Sequence, residues 1–117
     1  MGTMEKEMDS RGNIGTNSDL VSLQAAFCTI FSSPVRLRIM SILGAGEQSV
    51  GELAEQLDVS MANVSQHLRL MRNQGAVGFR REGKTVYYRV ANPKFIEGMM
   101  KVREGLLEEL RKKGEIV

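Results

Sequence analysis

Two apolar stripes at helical spacing, on helices parted by only three residues, constrain this chain more than any other feature. Val50, Leu53, Ala54 and Leu57 recur at i, i+3, i+4 and i+7, and Val64, Leu68 and Met71 repeat the pattern just beyond. Asp58-Val59-Ser60 between them is too short for a wandering loop, so two short helices must meet at a tight angle. Ser49 and Glu52 have the spacing of a capping box for the first of these helices, and Ser60 can cap the second. Val59 before that cap and Val64 after it can form a hydrophobic staple that sets the angle. The second helix is expected to stop near Gln74, with Gly75 in the left-handed stop position.

The flanks extend the pattern. Leu20, Leu23, Phe27, Ile30 and Phe31 predict a helix over 18–32, with Ser18 as its cap. Pro34 opens another helix, carried by Val35, Leu37, Ile39, Ile42 and Leu43 and ended by Gly44 and Gly46. Val77 to Arg81 and Lys84 to Val90 alternate as strands around a turn at Glu82-Gly83. Asn92-Pro93 then caps and starts a last helix over 93–113. The expected fold is α+β and mostly helical: a winged helix-turn-helix domain over 18–113 with one helix added at each end. Residues 1–17 and 114–117 are expected to be tails.

The terminal helices carry more apolar surface than a small domain can cover. The last helix has Phe95, Met99, Val102 and Leu106 on one track, with Ile96, Met100, Leu107 and Leu110 beside it. The first has a second stripe of Val21, Ala25 and Cys28. A homodimer formed through these helices is the expectation. Gly98 and Gly105, seven apart, either permit close helix approach or are simply tolerated.

Composition excludes several classes. No run approaches the roughly 18 consecutive apolar residues of a membrane span, and the acidic N-terminus has no signal-like apolar core, so no membrane partner and a cytoplasmic site are expected. One cysteine and one histidine supply neither a disulfide nor a zinc cluster, and no phosphate-cradling loop or paired acids stand out, so no metal, cofactor or catalysis is expected. The net charge of +2 is unevenly spread. Residues 60–89 hold six cations (Arg69, Arg72, Arg80, Arg81, Lys84 and Arg89) against Glu82 alone, a balance of +5 that leaves −3 elsewhere. Such a basic third suits a surface that meets phosphates.

A wheel through the second helix of the motif turns Val64, Leu68 and Met71 inward and Ala62, Ser65, Gln66, Arg69 and Asn73 outward, with Asn63 on the flank. That outward set is small, polar and cationic. Gln66 can pair with adenine, Ser65 with several bases, and Arg69 with guanine or phosphate. Candidate contacts to double-stranded DNA are therefore Ala62, Asn63, Ser65 and Gln66 for base discrimination, and Arg69, Arg72, Arg80, Arg81 and Lys84 for phosphates. Met61 can touch a thymine methyl or pack on the preceding helix. His67 lies about 60° from the centre of the buried side and can donate to a backbone carbonyl, touch a phosphate or act as a pH-dependent switch. Tyr87 and Tyr88 must point to opposite faces of the ribbon.

Phe31-Ser32-Ser33-Pro34-Val35-Arg36-Leu37-Arg38-Ile39, Glu52-Leu53-Ala54, Val64-Ser65-Gln66-His67-Leu68 and Arg81-Glu82-Gly83-Lys84-Thr85-Val86-Tyr87-Tyr88 resemble the ArsR-type transcriptional regulators. The likeness runs in consistent order over roughly residues 20–110. It implies a homodimeric repressor that sets two recognition helices on a pseudo-palindromic operator and that an inducer releases. The chain departs from metal-sensing relatives: Ser49-Val50-Gly51 stands where they have Cys-Val-Cys, and 93–113 lacks His and Asp. Cys28 reads either as a small buried hydrophobe or as a redox-active thiol near a dimer interface. Two other functions fit the same residues: a redox- or ligand-gated regulator signalling through Cys28 or an inter-helix pocket, and a winged-helix protein-interaction module.

Overall fold

The capping box and the left-handed turn build the centre of the fold. Ser49 Oγ accepts from the Glu52 N–H at 3.1 Å while Glu52 Oε1 accepts from the Ser49 N–H at 2.8 Å, and helix α3 (Val50–Leu57) follows. Asp58 ends α3 in the left-handed region at φ 56°, and the Val59 N–H donates back to the Ala54 carbonyl. Two residues later Ser60 caps α4 (Met61–Asn73), its hydroxyl accepting from the Asn63 N–H at 3.0 Å. Val59 is half-buried and Val64 fully buried, as a staple requires. Gly75, φ 80°, takes the left-handed stop after α4.

The chain is described here from a computed structural model for residues 18–116. The expected tail 1–17, the capping role of Ser18 and the last residue of the expected 114–117 tail lie outside the described residues. Helix α1 (Ser18–Cys28) is followed by α2 (Pro34–Gly44), capped by Ser33 with Pro34 in its first turn. Strands β1 (Gln48–Ser49), β2 (Val77–Glu82) and β3 (Thr85–Val90) form an antiparallel sheet in the order β1-β3-β2. Helix α5 (Pro93–Lys112) starts at Asn92, whose side chain accepts from the Lys94 N–H. The result is five helices among the described residues and a small sheet, a winged helix-turn-helix with a helix added at each end.

Three local expectations are corrected. The first helix does not run to residue 32: after Cys28 it tightens into a 3-10 turn, Thr29–Ser32. There the Thr29 and Ser32 hydroxyls donate to the Ala26 and Thr29 carbonyls, competing with the regular helical ladder. The wing is not two-stranded, because Ser49 and Gln48 pair with Tyr87 and Tyr88. The hairpin turn falls at Gly83-Lys84, since Glu82 pairs with Thr85. A positive φ of 62° at the first turn position is what glycine supplies, so the strands close around Gly83. At the C-terminus, Glu115 of the expected tail still donates its N–H to the Leu110 carbonyl, closing α5.

The core draws on nearly every element. Ile30, Ile39, Met40, Leu53, Val64, Leu68 and Met71 are the largest side chains with no exposure, joined by Leu43, Leu57, Ala76, Val77 and Met99. Leu68 stands in the middle of the α4 stripe. Leu68→Ala is expected to lower stability by about 3 kcal/mol through lost burial and a residual cavity, read from thermal or denaturant unfolding.

Candidate nucleic-acid interface

With Val64, Leu68 and Met71 buried, the opposite side of α4 is exposed: Ala62, Asn63, Ser65, Gln66, Arg69, Arg72 and Asn73 all face solvent. Among the described residues, the side chains of Asn63, Ser65, Gln66 and Arg69 make no hydrogen bond or ion pair. Their donors and acceptors are open to a ligand. Met61 lies against the preceding helix, its Cε 4.0 Å from where a β-carbon on Gly51 would stand, and is 57% exposed. Arg72 is held against the wing, its guanidinium 4.6 Å from the centre of the Phe79 ring.

The register of the hairpin sorts the wing's charges. Phe79 pairs with Tyr88 and Arg81 with Val86 on one face, while Arg80 pairs with Tyr87 on the other. The two tyrosines therefore part as alternation requires: Tyr88 packs beside Phe79 against the core, and Tyr87 lies under Arg80. Arg80 is paired with two carboxylates and a ring. Its Nε donates to both oxygens of Glu47 at 2.9 and 3.0 Å, its Nη1 donates to Glu82 at 2.6 Å, and its guanidinium is 4.6 Å from the Tyr87 ring centre. The bonds to Glu82 and then Glu47 raise its already high pKa. Arg81 and Lys84 are exposed and unpaired among the described residues. Of the expected phosphate contacts, Arg69, Arg81 and Lys84 stand free, Arg72 stacks on the wing, and Arg80 is a strut between the wing and the loop before β1.

His67 differs from its first expectation. Its Nδ1 faces Arg36 Nη1 at 3.3 Å rather than a backbone carbonyl. Arginine can only donate, so the neutral ring accepts at Nδ1 and carries its proton on Nε2. Burial, and after it the Arg36 charge, lower the pKa of His67 below the usual 6.5. Sequence reading gave no role to Arg36 or Glu47. Their partners lie 31 and 33 residues away, beyond any local pattern.

Ser49, at the first position where metal-sensing relatives have a cysteine, has its hydroxyl engaged in the capping box. Cys28 is exposed rather than buried, on the wall of an apolar groove of about 1080 Å³ between α1 and α5. Leu23, Phe27, Phe95, Met99 and Leu106 also line this groove. On the same groove Val102 and Leu106, one turn apart on α5, are 65% and 62% exposed.

A short helix with an open polar face, set beside a basic hairpin, defines a winged helix-turn-helix regulator. A helix-turn-helix domain family matches residues 31–77. The uncharacterized HTH-type transcriptional regulator Rv0081 of Mycobacterium tuberculosis is 32% identical over 106 residues, covering 81% of this chain and 93% of that protein. Its crystal structure overlays with a TM-score of 0.74 at 33% identity, over 80% of this chain and 95% of that one. A transcriptional repressor, the SmtB homolog of Synechocystis sp., is 40% identical over 74 residues, 63% of this chain and 56% of that protein. This chain therefore spans little more than half the length of that relative. The solution structure of Mb0332 from Mycobacterium bovis is described as a homodimeric winged helix-turn-helix DNA-binding domain of a possible ArsR-family regulator. It overlays with a TM-score of 0.72 at 26% identity, over 80% of this chain and 89% of that one. The chain belongs to the ArsR-type transcriptional regulators. Among the described residues, no single helix is long and apolar enough to cross a membrane.

Proposed function

We propose that this chain is a cytoplasmic, homodimeric repressor that binds double-stranded DNA. In this reading α4 enters the major groove, the β2–β3 hairpin lies on the neighbouring backbone, and each protomer takes one half of a pseudo-palindromic operator. The observation that carries it is the outward face of α4, where Asn63, Ser65, Gln66 and Arg69 are exposed and without partners among the described residues. Small Ala62 lets that face approach base edges, and Gln66 has the two-pronged amide that suits adenine. Arg69, Arg81 and Lys84 supply charge to the phosphates, with Arg72 beside them.

Dimerisation is supported by the α1–α5 groove with its exposed Val102 and Leu106, apolar surface that a second copy would cover. The homodimeric Mb0332 points the same way. Repression is supported by the repressor function of the SmtB homolog.

Selection of bound fragments from a random duplex pool tests the reading: it should yield an inverted repeat, and enrichment of no sequence would reject it. On the selected site, three to four phosphates per protomer should give a log K against log salt slope of about −5 to −7. Arg81→Ala should make that slope shallower by about 2 per dimer. Arg80→Ala should leave it unchanged, because Glu47 and Glu82 already balance that charge. Gln66→Ala should lose about 1–3 kcal/mol of preference at one base pair per half-site, seen on duplexes with single-pair changes. Val102→Glu should shift the protein to monomer in analytical ultracentrifugation and weaken operator binding about a hundredfold.

A further inference from the structure

Arg36 joins three pieces of the fold: its own helix α2, the 3-10 turn after α1, and α4. From its place on α2, its Nε donates to the Ile30 carbonyl at 3.1 Å, its Nη2 donates to the Thr29 carbonyl at 3.0 Å, and its Nη1 donates to His67 Nδ1 at 3.3 Å. The two carbonyls belong to the 3-10 turn that ends α1, and Phe27, Cys28 and Phe31 around that turn form one wall of the apolar groove. His67 is on α4, between Gln66 and Leu68. One guanidinium thus bonds both the groove wall and the helix with the open polar face. A planar fork of five donors can serve three acceptors in different directions, which an ammonium on a single stem does less well.

We propose that Arg36 is a positioning residue that acts through His67 to tie the set of α4 to the α1 wall of the groove. A change at that wall moves the Thr29 and Ile30 carbonyls, the guanidinium follows them, and α4 follows through the imidazole. The link has a built-in release. His67 can accept from Arg36 only while Nδ1 is unprotonated, and a proton there would set two cations 3.3 Å apart.

The titratable groups on α4 and the elements packed on it are Arg36 and Arg38 of α2; Glu52 and Glu55 of α3, with Asp58 at its end; Arg69 and Arg72 of α4; and Arg80, Arg81 and Glu82 of β2. Among these, Arg36 alone has a resolved influence on His67. The folded pKa lies below 6.5, so the unfolded chain binds more protons in the interval between the two values. The link is therefore whole above about pH 6.5 and is lost as pH falls below it through the folded value.

The chain has one histidine, so the imidazole nitrogens of the free, uniformly 15N-labelled protein give an unambiguous NMR signal. At about pH 7.5 they should show the Nε2–H tautomer. On acidification the amides of Thr29 and Ile30 should shift with the same midpoint as those of Ser65 to Arg69. In Arg36→Lys, His67 should still titrate and the α4 amides still move, but Thr29 and Ile30 should stay still. An Nδ1–H tautomer at the higher pH, or α1 amides that titrate alike in wild type and Arg36→Lys, would overturn the link.

The second arm rests on the proposed DNA binding. Affinity for the selected duplex should fall about tenfold between about pH 7.5 and a pH below the His67 midpoint read by NMR, although the protein gains positive charge. Affinity for random duplex should not fall, and His67→Asn, which keeps an acceptor and cannot titrate, should show a flat profile. Unfolding midpoints at the higher pH establish that each variant is folded. Intact sequence preference with no pH dependence in wild type rejects the link alone. Absence of sequence preference at every pH rejects the proposed function, and the NMR arm then decides the link.

Discussion

Val64, Leu68 and Met71, buried without exposure on one side of α4, are the constraint on which the rest of this molecule depends. A helix of 13 residues has only one way to bury that stripe against the core, and doing so fixes which residues are left outside. The cap at Ser60 and the left-handed Asp58 set where the helix begins and at what angle it leaves α3. Pulling the stripe out of register by one residue would rotate α4 by about 100° and turn Gln66 and Arg69 off the open face. The same hydrophobic term therefore stabilises the domain and aims its polar surface.

The wing shows how tertiary contacts divide like charges among unlike tasks. Arg80 and Arg81 are neighbours in sequence, yet strand alternation sends them to opposite faces. Arg80 meets Glu47, Glu82 and the Tyr87 ring and ties the hairpin to the body. Arg81 has no such partner among the described residues, and its charge stays unpaired there. Arg72 does something different again, joining α4 to β2 through Phe79. A basic patch counted along the chain is thus less uniform in space than its +5 balance suggests.

Much of the fold was legible because its signals are local. Capping boxes, a proline in the first helical turn, glycine stops and apolar periodicity act within a few residues, and α2, α3, α4 and α5 follow them closely. The features that were missed are held partly by distant partners and partly by side chains that depart from the regular ladder. Strand β1 is two residues long and exists because β3 pairs with it. The end of α1 tightens where Thr29 and Ser32 hydroxyls take up carbonyls, and Arg36 holds two carbonyls of that same turn. Cys28 reads along the sequence either as a small buried hydrophobe or as a thiol near a dimer interface, and in the fold it is exposed on the groove.

By itself the sequence determined the helix-turn-helix, the identity of the outward α4 residues and the surplus apolar tracks on the terminal helices. Each follows from periodicity and capping, which depend only on neighbours within about two helical turns. The tertiary structure alone decided that Arg80 is a strut, that His67 accepts from Arg36, and that the apolar tracks of α1 and α5 border one groove. Those outcomes depend on which distant side chains the packed core brings within hydrogen-bond reach, and no short stretch of sequence encodes that proximity.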